Sequence, residues 1–392
     1  VRELLKLQLF QPVLWVALLM LASPYLRGDN TIYTGDYDIN TDLKFTTYSA
    51  ENGLPGMSMT AVMQDSKGFI WIGSSEGLFR YDGYNFKGYS NIPGDSTSLS
   101  QNAIWEIVED HSGILWIGTE EGGLNAFNPA TEVFTRYTHD PNDSTSLSDG
   151  YIMTIVEDND HTIWVGTTKG GLSRLNRKTG KFDRFINKPN DSTSISGNYI
   201  GAIYEDMNKN FWIGTRGGHG LNLFDRETDT FIGLHLDPTG EVEFPPAFVT
   251  GIVEVEPGQF LISSLGRGMY KMTPNIQGDK STIRYEHIQF THNIEGASSI
   301  FRIVQGPLGN YWLSTWGGGM FMFDPDDFSL NQYTSGPESS SLSNIFVFDI
   351  AIDRSGTLWA ATDYGLNKAD LRRKQFWRYE IDPDLMLQEN VH

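Results

Sequence analysis

The chain has 392 residues and a formal net charge of −20, and 39% of its residues are hydrophobic and 13% aromatic. This composition is typical of a folded protein with a sizeable core and excludes a largely disordered chain. Cysteine is absent, which excludes disulfides, thiol catalysis and cysteine-ligated zinc. The strong negative charge argues against partners such as nucleic acid or anionic lipid headgroups.

The first residues have the pattern of a secretory leader. Arg2 and Lys6 precede an apolar run over residues 13–22, after which the sequence becomes polar and rich in turn formers. A run of about ten residues is shorter than the roughly 20 that a spanning helix needs. We therefore predict a signal peptide over 1–22 and a linker over 23–43, with a signal anchor as the alternative.

One segment recurs along the rest of the chain. Residues 110–124 read Asp-x-x-Gly-x-x-Trp-Ile-Gly-Thr, followed by a Gly-rich bend and a leucine. The Trp position of this unit recurs at intervals of 45 to 51 residues, with a leucine in one copy. Its seven occurrences are Trp71, Trp116, Trp164, Trp212, Leu261, Trp312 and Trp359.

Each unit contains the patterns of four strands. An alternating apolar stretch such as 103–108 predicts the first strand, and the Asp-x-x-Gly turn leads into the Trp strand. A third strand starts at positions such as Leu124, and a Phe-x-x-Tyr strand such as 134–137 ends the unit. Four strands in about 40 to 50 residues are typical of a propeller blade. The sequence therefore predicts an all-β, seven-bladed β-propeller of four-stranded blades over 44–375, with the Trp residues packed between neighbouring blades.

The chain has one outer-strand pattern too many for seven blades. Residues 45–48 precede the first unit, and residues 376–379 follow the last. We predict that 44–49 complete the last blade by pairing beside the strand at 366–368, which closes the ring with strands from both ends of the propeller. Residues 376–392 are then an extra outer-strand segment that begins a second propeller.

The repeated pattern, with the Phe-x-x-Tyr strands and the opening at residues 52–55 (Asn-Gly-Leu-Pro), resembles the two-component regulator propeller repeat. That resemblance covers roughly residues 44–380. It implies the periplasmic, ligand-sensing region of a hybrid two-component system of a Gram-negative bacterium, a class in which many members detect polysaccharide fragments. Such proteins usually continue into a second propeller, a membrane helix and a histidine kinase. A homodimer of the full-length sensor is compatible with the resemblance.

The residues that break the repeat point to a binding face. In a four-stranded blade, the loop between the second and third strands lies on the same face as the link between blades, and cations and aromatic side chains collect in these loops of units three to seven. Arginine suits a carboxylate or sulfate, and flat aromatic rings can stack on sugars. We therefore predict that this face binds a short anionic oligosaccharide, with ordinary surface variation as the alternative. The predicted ligand-binding residues are Lys169, Arg216, His219, Arg267, Arg302, Trp316 and Tyr364.

No catalytic or metal-binding constellation is evident in the sequence, and no cofactor is predicted. The histidines, including His111 and His161, have no partner at metal-ligand spacing, and the recurrent acids fall mostly in hairpin turns. Residues 206–210 resemble the start of a calcium loop but lack its central glycine and closing glutamate, which favours an ordinary turn. A propeller lyase or glycosidase and a protein-interaction scaffold remain the alternatives to a non-enzymatic sensor, because the fold alone does not separate them.

Overall fold

The computed structural model describes residues 43–54, 58–217, 220–232, 234–236, 248–277, 281–290, 296–338 and 340–372. In this part of the chain, seven sheets succeed one another as the blades of a β-propeller, which confirms the predicted fold class. Two short 3₁₀ turns, Ala50–Asn52 and Pro307–Gly309, interrupt the strands. No helix in these ranges has the length and apolar character to cross a bilayer. The predicted signal peptide and the segment 376–392 lie outside the described residues.

The first four blades follow one plan, in which consecutive strands pair antiparallel from the axis outwards. The strands of blade one are β2 Met59–Gln64, β3 Ile70–Ser74, β4 Leu78–Tyr81 and β5 Phe86–Tyr89. Those of blade two are β6 Ile104–Glu109, β7 Leu115–Thr119, β8 Leu124–Asn128 and β9 Val133–Tyr137. Those of blade three are β10 Ile152–Glu157, β11 Ile163–Thr167, β12 Leu172–Asn176 and β13 Lys181–Phe185. Those of blade four are β14 Ile200–Glu205, β15 Phe211–Thr215, β16 Leu221–Asp225 and β17 Thr230–Ile232.

Blade five departs from this plan because a short strand, β18 His235–Leu236, adds to its outer edge in parallel. Its other strands are β19 Phe248–Glu256, β20 Gln259–Leu265, β21 Gly268–Asn275 and β22 Thr282–His287. Blade six contains β23 Ile300–Gln305, β24 Tyr311–Thr315, β25 Met320–Phe323 and β26 Leu330–Tyr333. Blade seven contains β27 Val347–Ile352, β28 Thr357–Thr362, β29 Gly365–Asp370 and β1 Thr46–Tyr48.

The two ends of the propeller meet in blade seven. Strand β1 pairs antiparallel with β29, with Thr46 opposite Lys368 and Tyr48 opposite Leu366. The predicted pairing of the N-terminal strand with the last blade is therefore confirmed. A β-sheet ring closed in this way leaves no pair of neighbouring blades without a chain connection or a strand pairing.

Packing between blades explains why the Trp position recurs from unit to unit. All six Trp residues and Leu261 are buried, and each packs in a cluster with residues of the following blade. Trp71, for example, shares a cluster with Ile104 and Phe127 of blade two, and Trp359 of blade seven shares one with Ile70 of blade one. The predicted role of these side chains is confirmed.

The glycine after Trp-Ile is needed for the same contact. A Cβ atom on Gly73 would lie 2.6 Å from Cγ2 of Ile104, and one on Gly118 would lie 2.6 Å from Cγ2 of Ile152. Such distances are far below van der Waals contact. The motif therefore carries a glycine because the branched side chain that opens the next blade's inner strand lies directly against it.

The turn aspartate of the motif holds the Trp side chain in place. In five blades one carboxylate oxygen accepts a hydrogen bond from the indole N–H six residues later, at 2.7 to 2.9 Å. The other oxygen accepts backbone N–H groups of the turn, as Asp110 does from Ser112 and Ile114. Burial alone would raise the pKa of Asp110, but hydrogen bonds from Ser112, Trp116 and Arg177 lower it to about 2. We call this arrangement the Asp–Trp lock; its members are Asp65–Trp71, Asp110–Trp116, Asp158–Trp164, Asp206–Trp212 and Asp353–Trp359.

Candidate functional site

The two faces of the ring carry different elements. The loops between the second and third strands meet the start of the next blade's inner strand, as bridges from Arg216 to Phe248 and from Trp316 to Phe346 show. We call this side the upper face. The Asp-x-x-Gly turns lie on the other side, the lower face. The loops that were predicted to bind ligand therefore share one face with the openings of the inner strands.

The inner strands bring further side chains to the upper face. In each of the seven blades the pairing of the first two strands contains a register shift near the start of the inner strand. The extra residue of such a β-bulge breaks the alternation and re-aims a side chain. The bulged residues line one cavity on the axis, of about 20 Å³. They are Thr60, Trp105, Met153, Gly201, Thr250, Phe301 and Phe348.

A cavity of this size holds about one water molecule, so a sugar ring does not fit inside it. A larger ligand has to lie over the cavity, on the upper face. Around the cavity lies a set of aromatic side chains, which we call the aromatic collar; Trp316 is its exposed member, whereas Phe248 and Phe348 are buried. The collar consists of Trp105, Tyr151, Tyr199, Phe248, Phe301, Trp316, Phe346 and Phe348.

The collar rings support one another by edge and tilted contacts. The Trp105 ring lies 6.0 Å from that of Phe348, and the Trp316 ring lies 5.2 Å from that of Phe346. Trp316 is nevertheless 49% exposed, so a large part of its ring is free to contact a ligand. Sequence reasoning found Trp316 only. In blades two, three, six and seven, the available signal was the pair of adjacent apolar residues, such as Ile104-Trp105, at the bulge within an alternating strand.

Below the collar, a charged group crosses the channel. Arg302 of β23 forms an ion pair with Glu106 of β6, and its Nε atom lies 3.7 Å from Oδ1 of Asp349 in β27. Burial would lower the pKa of Arg302, but the two carboxylates hold it above its ordinary value. Asp349 also accepts the backbone N–H of Val62 at 2.9 Å. Arg302 therefore links blades two, six and seven, and its charge is compensated by the protein itself.

The other predicted ligand-binding residues have different surroundings. Lys169, Arg216 and Arg267 are exposed, and in the described part of the chain their side chains form no salt bridge. Arg216 lies over the Tyr199 ring of the collar, 5.8 Å from its centroid. Tyr364 is 54% exposed.

The structure thus brings Arg216 and Trp316 to the collar and puts Arg302 beneath it. Between the collar and Lys169, Arg267 or Tyr364, the described residues show no hydrogen bond, ion pair or ring contact. His219 lies outside the described residues. Burial raises the pKa of Tyr151 and of Tyr199 above the ordinary phenol value, and the Tyr199 hydroxyl donates to Sδ of Met153 at 3.7 Å.

On the lower face the structure brings together histidines that the sequence spacing did not pair. The sequence suggested that no histidine has a partner at metal-ligand spacing, yet His111 and His161 stack with their ring centroids 3.8 Å apart. The Nδ1 atoms of both rings face the same oxygen of Glu157, at 2.5 Å and 3.7 Å. The sequence spacing did not indicate this cluster, because its members come from two successive blades. The calcium-like segment, by contrast, is an ordinary turn, because both oxygens of Asp206 are bonded to Asn210 or Trp212.

Four segments of the chain match a known family of repeats. The family model described as "Two component regulator propeller" matches residues 53–76, 98–121, 146–169 and 194–217. A curated relative, histidine kinase P4 of Formosa agariphila, is 39% identical over 61 residues, which is 16% of this chain and 4% of that protein.

Solved structures are similar to this chain over 84% of its length, which is more than the four matched segments. The extracellular domain of the putative hybrid two component system BT3049 from B. thetaiotaomicron aligns with a TM-score of 0.67 at 24% identity, over 84% of this chain and 42% of that one. Virginiamycin B lyase from Staphylococcus aureus aligns with a TM-score of 0.60 at 15% identity, over 84% of this chain and 99% of that one. At these identities the likeness establishes the fold. The chain spans less than half of the BT3049 domain.

Proposed function

The chain belongs to the two-component regulator propeller repeat family, and from that premise we propose that it is the ligand-sensing propeller of an exported sensor. Its ligand is a short anionic oligosaccharide that lies on the upper face, and a histidine kinase receives the signal. The similarity to part of histidine kinase P4 and to the extracellular domain of BT3049 supports the sensor role and the location outside the cytoplasm.

The observation that carries the ligand proposal is the exposed ring of Trp316 in the aromatic collar, together with cations on the same face that form no salt bridge with the described residues. A collar of flat rings suits stacking against the apolar faces of sugars. Arg216 and Arg267 are exposed and make no salt bridge with the described residues, although the chain has a net charge of −20. Unpaired arginines in so acidic a protein favour a ligand that carries carboxylate or sulfate groups.

Acidic side chains on the upper face limit the orientations that an anionic ligand can adopt there. Glu76 and Glu121 project from the loops of blades one and two, whereas Lys169, Arg216 and Arg267 belong to blades three to five. An anionic sugar is repelled from the first side and attracted to the second. We therefore infer that the anionic groups lie over blades three to five and that uncharged rings stack toward Trp316 of blade six.

Calorimetry with defined oligosaccharides tests the proposal. We expect uronate or sulfated oligosaccharides to bind and neutral ones of equal length to bind weakly. Arg216→Ala and Arg267→Ala should each weaken binding roughly tenfold to a hundredfold, since a hydrogen bond to a charged group contributes about 1.5 to 3 kcal/mol. Lys178→Ala is the matched control, because Lys178 is an exposed cation of a turn on the lower face.

The melting temperature of the two arginine variants should stay near that of the wild type, which separates lost binding from lost folding. A triple variant in which Arg216, Arg267 and Trp316 are all replaced by alanine should bind none of the anionic oligosaccharides. If it binds them as tightly as the wild type does, the ligand site lies elsewhere.

A propeller lyase is the second candidate, because virginiamycin B lyase shares the fold over 99% of its length. The channel offers less to such a reaction. Glu106 and Asp349 are paired with Arg302 beneath the collar, and among the described residues no histidine lines the axial cavity. We expect no turnover of uronic-acid polysaccharides or aryl glycosides above the buffer rate. Reproducible product that disappears in an Arg302→Gln or Glu106→Gln variant would favour the lyase.

A further inference from the structure

The lower face contains a repeated link between successive blades. The last residue of an inner strand, or the residue at the equivalent position, accepts the backbone N–H that follows the turn aspartate of the preceding blade. At the junction of blades two and three, Oε2 of Glu157 accepts the N–H of His111 at 2.7 Å. At the junction of blades three and four, Oε2 of Glu205 accepts the N–H of Asn159 at 2.7 Å.

An arginine completes this link at both junctions. Arg177 donates to Asp110 and to Glu157, each at 2.7 Å. Arg226 donates to Asp158 at 2.7 Å and to Glu205 at 2.9 Å. The two junctions therefore share one frame of aspartate, glutamate and arginine. What differs between them is the pair of side chains that this frame presents to solvent.

At the first of these junctions both variable positions are histidines. His111 occupies the position that Asn159 occupies at the next junction, and His161 occupies the position of Lys209. The second position has a left-handed backbone, with φ of 63° at His161 and 65° at Lys209, and Gly113 and Gly356 occupy it in other blades. Glycine adopts this conformation without strain, so neither the turn nor the link requires a histidine there.

The two imidazoles converge on one carboxylate. Nδ1 of His111 lies 2.5 Å, and Nδ1 of His161 3.7 Å, from Oε1 of Glu157. One ligand atom from each of the three side chains falls within 4.8 Å of the others. The Glu157 side chain is 2% exposed and the two histidines are 36% and 44% exposed, so a fixed acid lies beneath two rings that solvent can reach.

We propose that His111, Glu157 and His161 form a binding site for one divalent transition-metal ion of the zinc type at the junction of blades two and three. Imidazole and carboxylate are ligands that zinc accepts, and two histidines with one glutamate leave a fourth, tetrahedral position to water. With metal–ligand distances of about 2.0 to 2.2 Å, donor atoms around zinc stand roughly 3.3 Å apart. His111 has to move outward and His161 inward by less than 1 Å each, which two partly exposed side chains allow.

The surroundings set the strength and the selectivity of the site. Arg177 donates to the same Oε1 atom and so orients the carboxylate, but its charge opposes that of the cation. With three protein ligands and a nearby arginine, we expect an affinity in the micromolar range. Mg²⁺ and Ca²⁺ prefer oxygen ligands and should not compete. Because the ligands come from two blades, the bound ion joins blade two to blade three.

Titration of the untagged protein with ZnCl₂ in a calorimeter tests the proposal. We expect one Zn²⁺ per chain, no heat from MgCl₂, and a melting temperature that rises by a few degrees at saturation, because the ion binds only the folded state. His111→Ala and His161→Ala should each weaken binding at least tenfold. Circular dichroism and melting without metal show that these variants fold.

The neighbouring junction supplies the controls. Asn159→Ala and Lys209→Ala should leave the stoichiometry and affinity for Zn²⁺ unchanged. The double variant Asn159→His with Lys209→His puts two histidines over Glu205 and Arg226 and should bind a second equivalent. The proposal is overturned if the wild type binds no Zn²⁺ at micromolar concentrations, or if the double variant His111→Ala with His161→Ala binds it as tightly as the wild type.

Discussion

Blades five and six differ from the other five in how they hold the residue between blades. In blades one to four and blade seven, the Asp–Trp lock fixes the indole N–H to a buried carboxylate. Blade five has Leu261 instead of tryptophan, and blade six keeps Trp312 but has Gly306 where the lock has its aspartate. Leu261 and Trp312 are nevertheless buried, with 3% and 1% exposure.

The difference separates two contributions to the blade interface. Apolar volume between blades is present at all seven junctions, since every one has its buried cluster. The lock is an addition that fixes the orientation of the side chain and the shape of the turn. The four segments matched by the family model all belong to blades one to four, where both contributions are present. Each matched segment of this chain therefore contains one lock together with the glycine that follows it.

In blade six, the absence of the turn aspartate is accompanied by buried polar atoms without hydrogen-bond partners. Among the described residues, the buried indole N–H of Trp312 has no hydrogen-bond acceptor, and neither polar atom of the Asn310 side chain has a partner. A buried donor without a partner costs about 1 to 3 kcal/mol. At this position blade six therefore lacks the hydrogen bond that each locked blade makes.

The largest expected effect tests the contribution that all blades share. Trp212→Ala removes a fully buried ring between blades four and five and should lower the free energy of unfolding by about 3 to 5 kcal/mol. Urea unfolding followed by tryptophan fluorescence and circular dichroism measures it. Leu261→Ala, the matched change in a blade without a lock, should cost about 2 to 5 kcal/mol. If either variant is as stable as the wild type, packing between blades is not the dominant contribution.

The sequence was sufficient to predict the blades, the Trp packing and the closure of the ring, because each follows from a pattern within one repeat or from counting strands. It was not sufficient to predict the collar, the pairing of Arg302 or the histidine cluster. Trp105 reads as an ordinary strand residue until the bulge turns it toward the axis. Arg302 meets Glu106 across 196 positions of sequence, and His111 meets His161 across a blade junction. Such contacts depend on the ring geometry, which no local pattern contains.

The second prediction breaks one lock. In blade seven, Asp353 accepts the indole N–H of Trp359 at 2.9 Å and backbone N–H groups of its own turn. Asp353→Ala leaves these buried donors without a partner, and we expect a loss of about 2 to 4 kcal/mol in urea unfolding. Asn310→Ala in blade six, where the side chain has no partner to lose, should cost less than 1 kcal/mol. Equal losses in the two variants would contradict the role assigned to the lock.

A subtler pair of changes isolates the indole N–H. Trp71→Phe keeps an aromatic ring but leaves Oδ2 of Asp65 without its bond at 2.8 Å, whereas Trp312→Phe removes an N–H that had no partner. Both variants lose similar apolar volume. The difference in their free energies of unfolding should therefore be about 1 to 3 kcal/mol, with Trp71→Phe the less stable. This difference is a direct measure of one lock, and a value near zero would show that the bond contributes nothing.

The smallest effect is a gain, obtained by building a lock where blade six lacks one. Gly306 has φ of −97°, which any residue can adopt, and its N–H already donates to the Asn310 carbonyl at 2.8 Å, as that of Asp206 does to the Asn210 carbonyl at 3.0 Å.

A Cβ atom on Gly306 would lie 2.0 Å from Oδ1 of Asn310 and 2.7 Å from Cδ1 and Nε1 of Trp312, so the Asn310 side chain has to turn away and the indole ring has to shift. Blade four shows the arrangement that it can adopt, because Nδ2 of Asn210 donates to Oδ2 of Asp206 at 2.8 Å. Gly306→Asp supplies an acceptor both to Asn310 and to the unpaired indole of Trp312, and we expect the free energy of unfolding to rise by about 1 kcal/mol. Gly306→Ala is the control, since it introduces the same steric demand without a carboxylate and should lower stability. An aspartate variant that is no more stable than the alanine variant would mean that the turn of blade six cannot adopt the locked geometry.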